Sequence, residues 1–151
     1  MHVHFTKLRD DAFLPIRTTN GSACYDLCTV EPFDLNGAKQ RQLVSTGISV
    51  TLPAGHVGLI CSRSGLAAKR GIFVLNAPGI VDEDYTGELK VVLARHELNA
   101  EWSNPEPDCF SPGDRIAQLL VLALPALGAF GAINFNKVRA GSGFGSTGIQ
   151  K

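Results

Sequence analysis

Hydrophobic residues recur along this chain with a period of two. Val44, Ile48, Val50 and Leu52 keep that period through Thr51 up to the turn signal Pro53-Ala54-Gly55, and Leu89, Val91 and Leu93 repeat it further on. Alternation of this kind puts one side of each segment on a core face and predicts strands. Val57 to Cys61 is another short apolar run, and Ala23 to Cys28 reads as a strand with one acid, Asp26, inside it. Arg115 to Leu122 is apolar on both faces apart from Arg115 and Gln118, as for a buried strand. Val3 to Leu14 mixes apolar and charged residues and predicts an edge strand; Phe130 to Val138 predicts a last short one. Pro15, the stretch from Thr18 to Ser22, Pro32 and Asn36-Gly37 mark turns, and Asn99 to Pro112, with three prolines, reads as a loop. Only Leu66 to Arg70 has helical character, with Ser62 or Ser64 as the expected cap and Gly71 as the stop. Many short strands and one short helix predict an all-β sandwich or barrel.

Within that pattern, Asn76 to Leu89 has the outline of a β-hairpin. Pro78 and Gly79 interrupt its middle, and Asp82, Glu83 and Asp84 crowd beside Tyr85. Charge inside an apolar hairpin is costly to bury. A solvated turn is one explanation; a site that needs a carboxylate base or metal-facing acids beside an aromatic platform is the other.

Composition narrows the class. At 151 residues, with 44% apolar and 19% charged positions, the chain is one globular domain with a substantial core. Lys and Arg number 14, as do Asp and Glu, and the formal net charge is zero, which argues against a nucleic-acid binder acting through bulk charge. The first residues carry no signal-peptide core. The longest apolar run, Leu119 to Ala132, is broken by Pro125 and two glycines, so no membrane span is expected. Cys24, Cys28, Cys61 and Cys109 match no zinc spacing and are expected to be reduced, buried thiols of an intracellular protein.

Four further places carry possible chemistry. Cys61-Ser62-Arg63-Ser64-Gly65 sets an Arg and two serines at the helix start, an arrangement that suits either an anion or an ordinary cap. Gln118 and Asp26, each set among apolar neighbours, need partners. For Gln118 a backbone group or a ligand phosphate would serve; an acid like Asp26 is more often paired with an Arg than catalytic. The tail, Arg139 to Gly148, is rich in glycine and holds Arg139, Phe144, Gly145, Ser146 and Thr147. It reads either as a loose end or as a lid whose backbone N–H groups, hydroxyls and guanidinium close over a nucleotide. It is not a Walker loop.

Taken in order, five segments resemble the five motifs of the trimeric dUTPase family. They are Ala23 to Leu27, Ser62 to Ala67, Asn76 to Leu89, Gly113 to Leu119, and Arg139 to Gly148, and the resemblance covers nearly the whole chain. It implies a distorted jelly-roll β-barrel over residues 1–138, with one short helix, and a flexible C-terminal arm over residues 139–151 that closes an active site. It implies a homotrimer with shared active sites that hydrolyses dUTP to dUMP and pyrophosphate with Mg²⁺. On that resemblance Asp82 is the general base activating the water that attacks the α-phosphorus. Tyr85 stacks under the deoxyribose and leaves no room for a ribose hydroxyl. Asn76, with the nearby hairpin backbone at Gly79 and Val81, reads the uracil edge. Asp26 lies in the outer shell of a Mg²⁺ held mainly through substrate phosphates and water. Arg63, Ser64, Gly65 and Gln118 contact phosphates. In the tail Phe144 stacks over uracil, while Arg139, Gly145, Ser146 and Thr147 hold the γ-phosphate.

The chain departs from the family pattern in places. Cys24, Ala140 and Ser142 stand where glycine is usual and Ser62 where proline is usual. Arg95-His96 replaces Asn-His, and the loop Glu97 to Ser111 is a few residues longer. Ser142 puts a side chain where φ is expected to be positive, which would slow or weaken closure of the tail. Two alternatives use the same fold: a dCTP deaminase or bifunctional deaminase–dUTPase, and a catalytically weak nucleotide-binding regulator.

Overall fold

The structure, a computed structural model, describes residues 2–36, 40–96 and 108–125. They form eleven strands and one helix: β1 (His4–Lys7), β2 (Cys24–Cys28), β3 (Phe33–Asp34), β4 (Arg41–Ser45), β5 (Ile48–Thr51), β6 (His56–Cys61), α1 (Ser64–Arg70), β7 (Ile72–Val74), β8 (Gly79–Val81), β9 (Lys90–Arg95), β10 (Cys109–Phe110) and β11 (Arg115–Ala123). The all-β expectation holds. Among the described residues the strands pair as four sheets, β2-β11-β6-β8, β4-β9-β7, β1-β5 and β10-β3, rather than as one closed barrel.

The alternation foreseen for Val91 and Leu93 is realised in β9. Both are fully buried, and they lie opposite Val44 and near Val74, which are buried too. In the larger sheet Leu27, Ile60, Ala117, Leu119 and Val81 supply the inner face. Each of these Leu, Ile and Val side chains contributes about 1.5–3 kcal/mol on leaving water. β11 lies between β2 and β6, but only its inner face is closed: Leu122 remains 44% exposed. The expectation of burial on both faces thus holds for Ile116 and Ala117 and not for the strand's far half.

Four expectations need correction. The run from Val44 to Leu52 is two strands in different sheets, broken at Thr46-Gly47, where Gly47 has φ 65°. The period survives the break, so the pattern hides it. The edge strand at the N-terminus spans only His4–Lys7, paired with β5. The serine cap of α1 is not made: Arg63 occupies the N-cap without a side-chain capping bond, and the Ser62 hydroxyl accepts Val74 N–H at 2.9 Å instead. Gly71, left-handed at φ 62°, does stop the helix. The cysteines are free thiols, but Cys24, Cys28 and Cys61 are only partly buried and Cys109 is exposed.

The stretch after β7 is also more than a hairpin. β7 and β9 pair as its arms, with Val74 opposite Leu93, but β8 leaves them and pairs with β6 in the other sheet. The chain therefore crosses between sheets and back within residues 75–89. The strand expected at Phe130 to Val138 and most of the loop Glu97 to Ser111 lie outside the described residues. No helix among the described residues is long and apolar enough to cross a membrane.

Candidate active site

The crossing of β8 opens a cavity of about 170 Å³ between the sheets. Its lining includes Asn76, Gly79, Val81, Asp82 and Tyr85, together with Ile60, Val74 and Leu89 from the core and Glu88 and Lys90 from the return into β9. Gly79 suits its place: a Cβ there would press to 3.3 Å from the Asn76 amide and 3.4 Å from Ile60. Tyr85 is fixed at two points. Its N–H donates to the Asp82 carbonyl at 3.1 Å and its hydroxyl to the Glu88 carbonyl at 2.8 Å. Two acids beside Asp82 serve as acceptors for backbone: Glu83 for Gly55 N–H and Glu88 for Gly47 N–H. That accounts for part of the crowding of charge seen in the sequence.

A second group of polar residues gathers around Asp26. Its Oδ1 lies 3.3 Å from Arg63 Nε, and its Oδ2 accepts from Arg115 Nη1 at 3.1 Å and from the Thr18 hydroxyl at 3.2 Å. Arg63 Nη1 also donates to the Arg115 carbonyl at 2.7 Å. Asp26 is thus paired with arginine, the commoner of the two readings of a lone acid in a strand. A bulge makes the meeting possible. Arg115 faces Cys28 and Ala117 faces Leu27, so one extra residue sits in β11. Arg115 and Gln118, three apart, would otherwise point to opposite faces; the bulge brings both to the side of Cys28 and Asp26. Burial pushes the Cys28 thiol up, Asp26 pushes it the same way, and Arg115 and Arg63 pull it down.

Gln118 finds a backbone partner, its Nε2 donating to the Ser62 carbonyl at 3.0 Å. Ser62 therefore touches both regions, through its carbonyl on one side and its hydroxyl under Val74 on the other. Ser64 and Gly65 open α1 and are exposed. The two regions stay apart among the described residues: none of Asp26, Arg63, Arg115 and Gln118 lines the cavity. Of the cavity's sheet residues, Ile60, Gly79 and Val81 point to one face of the β2-β11-β6-β8 sheet, while Ile80 points to the other, which Cys61, Gln118 and Asp26 share. Sequence reasoning did not single out Arg115 as a partner of Asp26, nor Glu88 as an anchor. The only signal for Arg115 was its place three residues before Gln118.

This pairing of an acid-and-tyrosine cavity with an arginine cluster can be set beside known proteins. The pattern of the family described as dUTPase matches residues 10–148. The chain belongs to the dUTPase family. Deoxyuridine 5'-triphosphate nucleotidohydrolase of Hydrogenobaculum sp. (strain Y04AAS1) is 40% identical over 145 residues, which is 95% of this chain and 96% of that one. The protein of the same name from Wolinella succinogenes is 41% identical over 150 residues, 98% of this chain and 95% of that one. Among solved structures, a dUTPase of phage phi11 of S. aureus superposes with a TM-score of 0.73 at 20% identity, covering 91% of this chain and all of that one, and supports the fold alone. A Staphylococcus bacteriophage 80alpha dUTPase with dUpNHpp gives a TM-score of 0.69 at 25% identity, covering 98% and 99%. In this dUTPase-family chain the tail residues Arg139, Phe144, Gly145, Ser146 and Thr147 lie outside the described residues.

Proposed function

We propose that this protein hydrolyses dUTP to dUMP and pyrophosphate. The observation that carries the reading is the shared cavity of Asn76, Gly79, Val81, Asp82 and Tyr85. Asp82 takes the proton of the attacking water, a task a carboxylate can perform within hydrogen-bond reach of its target. The Tyr85 ring forms the wall under the sugar, and Asn76 with the backbone at Gly79 and Val81 reads the base edge. Arg63, Ser64, Gly65 and Gln118 receive the phosphates, since phosphoryl transfer asks chiefly for positioning and charge neutralisation. Arg139, Phe144, Gly145, Ser146 and Thr147 close over the substrate from the tail.

Because none of Asp26, Arg63, Arg115 and Gln118 lines the cavity, a single chain does not bring the full set together. A homotrimer with shared active sites resolves this, one copy supplying the base and sugar wall and a neighbour the phosphate contacts. The open outer face of the large sheet, with Ile80 at 60% and Leu122 at 44% exposure, is consistent with contact between copies.

Mg²⁺ is the expected metal. Among the described residues no group of three or more His, Cys, Asp and Glu could hold a metal directly. Mg²⁺ commonly keeps several waters and takes one or two carboxylates plus substrate phosphates. Asp26 suits an outer role: its oxygens already face Arg63 and Arg115, and their remaining lone pairs can accept from metal-bound water. When bound, the cation would neutralise phosphate charge.

Pyrophosphate release from dUTP, compared with dTTP, dCTP and UTP, with and without Mg²⁺, tests the reading. Preference for dUTP is expected. Ammonia release from dCTP would instead favour the deaminase alternative, and dUTP binding without turnover the regulator.

A further inference from the structure

The segment carrying Asp82 and Tyr85 is fastened to a part of the fold that no motif includes, the turn between β4 and β5. Gly47 N–H donates to Glu88 Oε1 at 2.8 Å. The Thr46 hydroxyl donates to the Leu89 carbonyl at 2.6 Å and accepts from Ile48 N–H at 3.3 Å. Leu89 N–H donates to the Ile48 carbonyl at 2.7 Å. Thr46 and Leu89 are each 1% exposed, so the Thr46 bonds are shielded from water and costly to leave unmade, while the Gly47–Glu88 bond is partly buried. The turn has no freedom of its own. A Cβ on Gly47 would lie 2.9 Å from Ala12 Cβ and 3.1 Å from Val30 Cγ1, and the Gly47 carbonyl accepts Leu8 N–H at 2.8 Å.

Glu88 joins this packed turn to the site. Its carboxylate takes the turn's N–H while its own carbonyl takes the Tyr85 hydroxyl. A phenol bonded to a carbonyl is held only as firmly as that carbonyl. Lys90 Nζ lies 3.5 Å from Glu88 Oε2, a long contact between partly exposed groups that adds little restraint.

We propose that Glu88, stapled to the Thr46-Gly47 turn, is a positioning residue for Tyr85 and so for the rejection of ribose. The inference rests on the reading of Tyr85 as the sugar wall. Excluding one hydroxyl is a steric task, and it works only while the ring cannot yield. Misplacing a positioning group by about 1 Å can cost roughly a hundredfold in rate. A wall that yields by a similar amount admits the ribonucleotide.

The test compares kcat and KM for dUTP and UTP in the wild type, Glu88→Ala, Glu88→Gln, Tyr85→Phe and Tyr85→Ala, with thermal unfolding of each. Glu88→Ala and Tyr85→Phe are expected to lower the dUTP-over-UTP ratio of kcat/KM by about tenfold, chiefly through better use of UTP. Glu88→Gln keeps an acceptor for Gly47 N–H and should restore the ratio to within about twofold. A merely structural Glu88 would change stability and leave the ratio alone, so a folded Glu88→Ala with the wild-type ratio overturns the proposal. If Tyr85→Ala collapses the ratio while Glu88→Ala and Tyr85→Phe do not, the positioning role fails and the sugar wall stands. An unchanged ratio in Tyr85→Ala removes the sugar wall itself, and the proposal with it.

Discussion

The loop holding Asp82 and Tyr85 and the cluster around Asp26 both set charged side chains on an apolar scaffold, but they are held by opposite means. The loop is tied down through backbone: β8 to β6 before it, Glu83 to Gly55 and Glu88 to Gly47, and Leu89 to Ile48 after it. The cluster is tied through its own functional groups, Asp26 to Arg63 and Arg115, and Arg63 to the Arg115 carbonyl. The loop can lose a side chain that makes none of these ties and keep its shape. The cluster cannot lose one of its charged groups without weakening the hold on the rest, because they are one another's partners. The first arrangement suits a base and a sugar wall, whose geometry must survive turnover. The second suits groups that exchange one another for a polyanion when it arrives.

The strongest way to break this contrast is at Asp82. Asp82→Asn is expected to lower kcat by about a thousandfold or more while leaving dUTP affinity within a few fold, since on the role proposed for Asp82 it removes the base and keeps the side chain's size. Pyrophosphate release and calorimetric binding of dUTP measure the two separately; a large loss of affinity would mean that the loop, too, depends on its charge. Deleting residues 139–151 should follow, with a folded core and turnover lower by about a hundredfold, as when a lid that completes a site is lost. Full activity of the truncated protein would remove the tail from the site.

Stability supplies the next comparison. Asp108 sits fully buried just before β10, with Arg70 Nε at 2.7 Å from Oδ1. Arg95 Nη1 is 2.7 Å from Oδ2, an ion pair whose angle falls short of a hydrogen bond. Removing it by Asp108→Ala strands two arginines and is expected to cost about 3–5 kcal/mol in urea unfolding. Asp26→Ala breaks a similar triad that water reaches more freely, and should cost about 1–2 kcal/mol. Asp82→Asn, by contrast, keeps the size of a half-buried side chain and should stay within about 0.5 kcal/mol of wild type. Equal losses at Asp26 and Asp82 would erase the distinction between the two regions.

These differences mark what the sequence could reveal. The strands were legible wherever alternation met burial, as at Val91 and Leu93, and Gly71 announced the end of α1. The break at Thr46-Gly47 was not, because the turn preserves the parity of Val44 and Ile48. The bulge in β11 leaves no mark in Ile116-Ala117, both of which suit any buried strand, so Arg115 could not be aimed at Asp26 in advance. Pairing across 89 residues, as between Asp26 and Arg115, is decided by tertiary register and not by local preference. The acids of the loop were visible as a cluster. Their division into Asp82 in the cavity and Glu83 and Glu88 on backbone required knowing where Gly55 and Gly47 lie.

The smallest effect would sharpen the contrast most directly, because Cys28 reports on the charge of the cluster from within. Burial raises its thiol pKa most, Asp26 raises it further, and Arg115 and Arg63 lower it. Asp26→Asn removes a raising influence and leaves both lowering ones, so the thiolate should form at lower pH. Its alkylation at fixed pH should then speed up by about two- to fivefold, since the thiolate is the reacting species. Cys109, exposed and on β10, serves as the internal reference and should keep its rate. Asp82→Asn should change neither, because it alters a region the cluster does not share. Mass-resolved alkylation of each cysteine across a pH series reads both at once. A Cys28 rate that ignores Asp26 but follows Asp82 would mean that the charge field reaches from the cavity to the cluster, and that the two regions are one electrostatic unit despite sharing no lining residue.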